Sequence, residues 1–153
     1  MKALILHANQ WLVRVESPSD RIAGCQPEEL HDDDTGEGPP RPTHVLAVER
    51  MEECLVVLFH IESHDTEKQV KSLCKDVAKI ARKVGTSRLM ISGFAHLSHS
   101  RPDPIVAKDL FLQVVSTCKT WIEYEVQSSH FGYNKSLVLD VKGHPDAFKH
   151  RSY

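Results

Sequence analysis

Near the start of the chain, apolar and polar residues trade places every second position in two short runs. Residues 2–7 (KALILH) and 11–16 (WLVRVE) each read as a strand. In the second, Trp11, Val13 and Val15 oppose Leu12, Arg14 and Glu16, the pattern of a half-buried strand. With only Ala8, Asn9 and Gln10 between them, the two are expected to form a hairpin with room for a bulge. From residue 17 to residue 43 the alternation stops and Pro, Gly and acid take over, with HDDDTGEGPPRP at the centre. This stretch is expected to be a solvated, mobile loop without secondary structure. Residues 54–61 (CLVVLFHI) are then apolar almost without a break and β-branched, as in a strand covered on both faces.

After that strand the rhythm changes to threes and fours. In TEKQVKSLCKDVAKIARKVG, Val70, Leu73, Cys74, Val77, Ile80, Ala81 and Val84 form one apolar stripe, with Lys68, Lys71, Lys75, Lys79, Arg82 and Lys83 elsewhere on the helix. Asp65 or Thr66 can cap its start, and Gly85 is a natural stop. Residues 88–92 (RLMIS) read as a strand ending at Gly93, followed by the loop FAHLSHSRPDP. A second helix is expected over about residues 104–120, with Ile105, Val106, Leu110, Phe111, Val114, Val115 and Cys118 apolar. Two more strands, residues 122–126 and 133–141, flank a turn at residues 128–132. Right-handed strand–helix–strand crossovers put the helices on a sheet, so the fold class is α+β, with layers and no internal repeat.

A chain of 153 residues is one domain's worth. Residues 1–148 are expected to form it, with 149–153 as a tail or the start of a linker. No apolar run reaches the roughly 18 residues of a membrane span, and MKALILHANQW lacks the features of a signal peptide. Cys25, Cys54, Cys74 and Cys118 lie far apart without a CxxC, which fits reduced core thiols and a cytoplasmic location. The formal charge of −2 argues against nucleic-acid binding until it is resolved by position. Residues 16–53 hold eleven acids against three bases, net −8, which leaves +6 for the remainder. One acidic segment masks a moderately basic body.

The chain has no GxxxxGK[ST], GxGxxG, GxSxG or HExxH, so phosphate cradles, Rossmann binding, serine hydrolases and zincins lack support. Ten histidines invite a metal reading, and His60/His64 and His96/His99 are the close pairs. Zinc, however, needs three or four converging ligands at about 2 Å, and no cysteine lies near either pair in sequence. Neither metal nor cofactor is expected. Gly93-Phe94-Ala95-His96-Leu97-Ser98 places a histidine at the carboxyl end of a parallel-type strand, where α/β sheets open a crevice. Phe131-Gly132-Tyr133-Asn134-Lys135 starts a strand with a lysine just past a glycine turn. The residues alone leave open whether His96 and Lys135 are functional or ordinary surface groups.

Four blocks narrow the choice: RMEECLVVLFHIES (50–63), FAHLS (94–98), FGYNK (131–135) and KGHP (142–145). In order and spacing they resemble the N-terminal editing domain of archaeal threonyl-tRNA synthetases, which is similar in fold to the D-aminoacyl-tRNA deacylases. The likeness covers essentially the whole chain and is weakest through residues 17–48. It implies a layered β/β/α domain with two helices on a mixed sheet, and proofreading hydrolysis of mischarged L-seryl-tRNA(Thr). Serine lacks one methyl of threonine, a difference giving only about 1–3 kcal/mol of discrimination, so a second, smaller sieve is needed.

By the same resemblance, Ile61, Gly93, Ala95, Phe131 and Asn134 bind the substrate, while Lys135 and His96 serve catalysis. Lys135 would stabilise the oxyanion that forms as water attacks the ester. His96 would orient water or a ribose hydroxyl, with the 2′-hydroxyl of the terminal adenosine assisting. Three positions depart from the family pattern. Asn134 stands where members often have tyrosine, Phe148 where they tend to have an acid, and LILHANQW where His-Ser-Asp is usual.

The implied partners are the serine-bearing 3′-terminal adenosine of tRNA(Thr), a second copy of the chain, and a fused or separate synthetase module. Synthetases of this family continue with catalytic and anticodon-binding parts, so the chain reads as an excised domain or an editor in trans. The alternatives are a D-aminoacyl-tRNA deacylase, a non-catalytic tRNA- or synthetase-docking module, and a histidine-rich metal protein.

Overall fold

One strand of seventeen residues, β1 (Lys2–Pro18), is the spine of the molecule. In the computed structural model, which describes residues 1–20, 29–36 and 40–153, it runs antiparallel to β2 (Ala47–His60) along almost its whole length. Its other side is shared. β5 (Tyr133–Val141) takes the C-terminal half and β6 (Phe148–Ser152) the N-terminal half. β3 (Arg88–Gly93) pairs parallel with β2, and β4 (Glu125–Ser128) parallel with β3, which completes a six-stranded mixed sheet in the order β4-β3-β2-β1-β5. The crossovers are α1 (Glu67–Val84) and α2 (Pro104–Lys119).

The hairpin expected at residues 8–10 does not form. The chain runs straight through and changes parity instead. Ala3 and Ile5 face the helices and Leu6 and Ala8 the opposite side, yet beyond Asn9 it is Trp11, Val13 and Val15 that continue the Leu6/Ala8 face. β2 makes the same switch, from Cys54, Val56 and Leu58 to Ala47 and Met51. Glu53 at that switch takes a left-handed φ of 49°, and β1 shifts register against β5 between Ala8 and Gln10. An irregularity of this kind bends a strand and re-aims its side chains, and it breaks the alternation that a sequence reading depends on.

Two cores result. Leu55, Val57, Phe59 and Ile91 meet Leu73, Val77, Phe111 and Val114 of the helices on one side of the sheet. Trp11, Val13, Met51, Val56, Leu58 and Met90 form the other, whose buried members are all strand residues. The expected α+β class, with two helices on a mixed sheet, is thus observed, and strands pack on strands on its far side. Thr66 caps α1 in a capping box with Gln69, and Gly85 ends it at φ 74°. Asp103 and Pro104 open α2.

The residues expected as a tail after 148 belong to the sheet. Phe148–Ser152 is β6, and the Tyr153 N–H donates to the Met1 carbonyl at 2.9 Å. The strand expected at residues 122–126 begins only at Glu125, because residues 121–124 form a turn that leaves Ile122 fully exposed.

The expectations for Cys25 and for the middle of the acidic loop fall outside the described residues. What is described of that loop lies against β2. Asp33 N–H donates to the Val48 carbonyl (2.8 Å), Asp32 Oδ1 accepts from Val48 N–H (3.0 Å), and Asp33 Oδ2 accepts from Arg50 N–H (3.0 Å). These acids satisfy the edge of β2 beyond the reach of β3, which pairs only from Leu55 onward. Among the described residues no helix is long and apolar enough to cross a membrane.

Candidate active site

Lys135 and Glu49 stand on the two strands that flank β1. Lys135 lies opposite Val15 and Glu49 opposite Val13, so strand alternation gives both side chains the same face as Trp11 and Met51. Glu49 is completely buried there. Its Oε1 accepts from the His130 backbone N–H (2.8 Å) and lies 2.6 Å from His130 Nδ1. The ring's other nitrogen, Nε2, accepts from the His31 backbone N–H at 2.9 Å. That bond assigns the proton to Nδ1, which therefore donates to the carboxylate. The His31 ring lies against His130, tilted by 34° with centroids 4.0 Å apart, so the acidic segment also covers this group.

The Lys135 ammonium donates to Ser129 Oγ at 2.6 Å and to the His130 carbonyl, with Glu49 Oε1 3.9 Å away. Burial pushes the Glu49 carboxyl up, but the His130 ring, the Lys135 charge, the Ser129 hydroxyl and the His130 N–H outweigh it. The net shift is downward and the group is ionised. The turn that presents these groups is tied to β3 by Ser129 N–H donating to the Ile91 carbonyl (2.9 Å). It closes through Gly132 at φ 88°, a left-handed conformation that favours glycine.

The mouth next to this cluster is aromatic. A Cβ on Gly93 would sit 3.8 Å from both Phe111 and Phe131, and the Phe111 and Phe131 rings lie 5.4 Å apart. Gly93, Phe131 and the Lys135 turn therefore share the carboxyl end of β3, and Ile61 belongs to the same core. Ala95 and His96 lie farther along the loop. They line an open crevice of about 520 Å³ with Lys2, Leu97, Ser98, His99, Ser100 and Arg101. The exposed His96 meets Phe94 edge-on at 5.3 Å. Asn134 alternates to the opposite side of β5 from Lys135, where its amide donates to Ser17 Oγ at 3.0 Å and fastens β5 to the end of β1.

The loop bearing His96 is pinned from β2. Ser98 Oγ donates to Glu62 Oε1 (2.6 Å), and His60 Nε2 bonds the Ser100 carbonyl (2.5 Å), so this histidine holds a loop in place. The Ser98 hydroxyl and the Met1 ammonium draw the Glu62 carboxyl down to about 2. Glu62, His64 and Asp65 gather their ligand atoms within 4.8 Å, and the Met1 ammonium binds both carboxylates.

Sequence reasoning missed Glu49, Ser129 and His130. A signal for Glu49 was present, since Ala47, Glu49 and Met51 keep strand alternation and place a carboxylate on an apolar face.

The model of the archaea-specific editing domain of threonyl-tRNA synthetase matches residues 40–152. The threonine–tRNA ligase of Hyperthermus butylicus is 28% identical, covering 100% of this chain and 23% of that protein. Those of Methanosarcina mazei and Pyrobaculum calidifontis are 32% and 33% identical over 63% and 65% of the chain. The chain thus spans less than a quarter of the length of these curated relatives. Among solved structures, the c-Myc DNA unwinding element binding protein is similar in fold, with a TM-score of 0.59 at 12% identity, over 100% of this chain and 99% of that one. By the family match over most of its length, the chain belongs to the archaea-specific editing domains of threonyl-tRNA synthetase.

Proposed function

We propose that this domain hydrolyses the ester of mischarged L-seryl-tRNA(Thr). One observation carries the reading: an ammonium, Lys135, is anchored at the carboxyl end of β3 beside the Gly93–Phe131 wall. A water oxygen bonds to the ester carbonyl carbon, and negative charge builds on the carbonyl oxygen. Lys135, fixed in advance by Ser129 and His130, stabilises that charge. The bond from carbon to the ribose oxygen then breaks, and the water's proton passes to the leaving oxygen with help from the neighbouring 2′-hydroxyl. Serine and tRNA with a free 3′-hydroxyl are the products.

Gly93, Phe131, Ile61 and Ala95 form the sieve in this reading, and His96 orients water or a ribose hydroxyl. The remaining partners belong to the same proposal: a synthetase catalytic module, fused or separate, and a second copy of the chain. Exposed Leu137 and Val138 on β5 support the latter.

The test compares L-seryl-, L-threonyl- and D-aminoacyl-tRNA(Thr) as substrates for the unmodified chain and for Lys135→Met. Hydrolysis of the seryl ester alone is expected, lost in Lys135→Met while the circular dichroism spectrum is kept. Preference for the D-aminoacyl ester would replace this reading with chiral proofreading. Lys135→Met working at the unmodified rate would remove Lys135 from the chemistry.

A further inference from the structure

Glu49 is a charge in a place where packing alone calls for an apolar side chain. Its neighbours on the same face, Ala47, Met51, Val13 and Val15, are all buried and apolar. A lone carboxylate at such a position is unfavourable unless partners satisfy it, and those partners can often be replaced by apolar groups at no loss of stability. Its partners here converge on one place. The His130 N–H and ring bond its Oε1, and the carbonyl of that same His130, with the hydroxyl of the adjoining Ser129, receives the Lys135 ammonium.

We infer that Glu49 is a positioning residue for Lys135: by clamping the Ser129–His130 turn and facing the ammonium at 3.9 Å, it fixes where that positive charge sits against the substrate ester. The inference rests on the proposed role of Lys135 in hydrolysis. His31 belongs to the same device, because its N–H turns the His130 ring so that Nδ1–H meets the carboxylate. Among the described residues, Glu49 from β2 and His130 from the turn are titratable groups that face the ammonium. The His31 ring lies tilted against His130, and Tyr133 stands edge-on to His130 at 6.1 Å. A carboxylate this close to an ammonium favours its charged form.

The experiment uses the whole chain, unmodified and as Glu49→Gln and Glu49→Asp. Lys135 is titrated by its side-chain carbon and nitrogen resonances. In parallel, kcat and KM for L-seryl-tRNA(Thr) are measured against pH. In Glu49→Gln the Lys135 titration and the alkaline fall of kcat are expected to move down together. At neutral pH kcat is expected to drop at least tenfold, with KM within about threefold, as for a group that acts mainly in the transition state. Glu49→Asp keeps the charge one methylene farther off and should restore the pH profile while leaving kcat low.

A folded Glu49→Gln with the unmodified titration and profile overturns the positioning role. If Glu49→Gln fails to fold, a folded Glu49→Asp with undiminished kcat overturns it instead. An unmodified chain inactive on L-seryl-tRNA(Thr) overturns the substrate reading, whereas the resonance titration reports on the Glu49–Lys135 coupling in either case.

Discussion

Ala95 is exposed on the loop after β3, against the His96 crevice, where a larger side chain has space to stand without disturbing either core. Leucine at this position should leave stability within about 0.5 kcal/mol, as for other surface changes. If Ala95 walls the sieve, the added carbons exclude serine as well, and hydrolysis of L-seryl-tRNA(Thr) falls at least tenfold. Serine hydrolysis unchanged in Ala95→Leu would take Ala95 out of the sieve. Glu49 shows where the residue scale defeats a sequence reading. It stands in a segment dense with acids, next to Glu52 and Glu53, and counting charge hides it among them. Alternation separates it from Glu52, but Glu53 shares its parity and is exposed only because the strand switches parity there. Asn134 is the converse case. Its position in the FGYNK block suggested a pocket wall, while its amide is engaged with Ser17 on the other side of the strand.

At the scale of elements, α1 was the most legible. Its stripe of Val70, Leu73, Cys74, Val77, Ile80 and Ala81 is buried as spaced, because a helix that packs on one side needs only its period to be read. The capping box follows the same local logic. Thr66→Ala removes the acceptor for the Lys68 N–H and should lower stability by about 1 kcal/mol, seen as a lower urea midpoint at constant slope. An unchanged midpoint would mean that the first turn is held by other contacts. The β1–β2 pair was legible only in halves. Each half alternates correctly, but the parity switch at Asn9 and Glu53 looks like a turn in a one-dimensional pattern. What makes it a continuous strand is pairing with residues about 30 to 150 positions away, which no local window contains.

For the molecule as a whole, charge and pH come together. The −8 of residues 16–53 is partly spent on the fold itself. Asp32 and Asp33 bond the edge of β2 and Glu49 bonds the His130 turn, so these acids are not a free screen against RNA. A sieve that takes only the terminal adenosine and its amino acid needs few phosphate contacts. Two buried groups contribute to the dependence on acid. His7, packed against His144 with its Nδ1 2.8 Å from the His144 Nε2, is held below the usual histidine range by burial and by the Lys142 and His144 charges. The unfolded chain takes up a proton on His7 near pH 6.5 that the folded chain resists, so stability falls as pH drops below about 6.5. Glu49 works in a lower window. Its depressed carboxyl stabilises the fold above the ordinary value of about 4.3, and that contribution is lost as pH falls through its folded value. Thermal melts should therefore show the midpoint falling from pH 7.5 to 5.5, with a flatter slope in His7→Asn. An equal slope in the variant would assign the fall to other histidines.

The sharing of β1 between β5 and β6 also governs when this molecule can form. The first half of the spine finds one neighbour in β2, but its second neighbour, Phe148–Ser152, lies at the far end of the chain, and Lys2 pairs with Ser152. During synthesis from the N-terminus, that edge of β1 stays open and apolar until residue 152 has emerged. Its unpaired N–H and C=O groups invite pairing with any other strand in the meantime. Contacts between such distant residues also raise the loop entropy that must be overcome before the sheet closes. The sheet can therefore close along this edge of β1 only once residues 148–152 are available to pair.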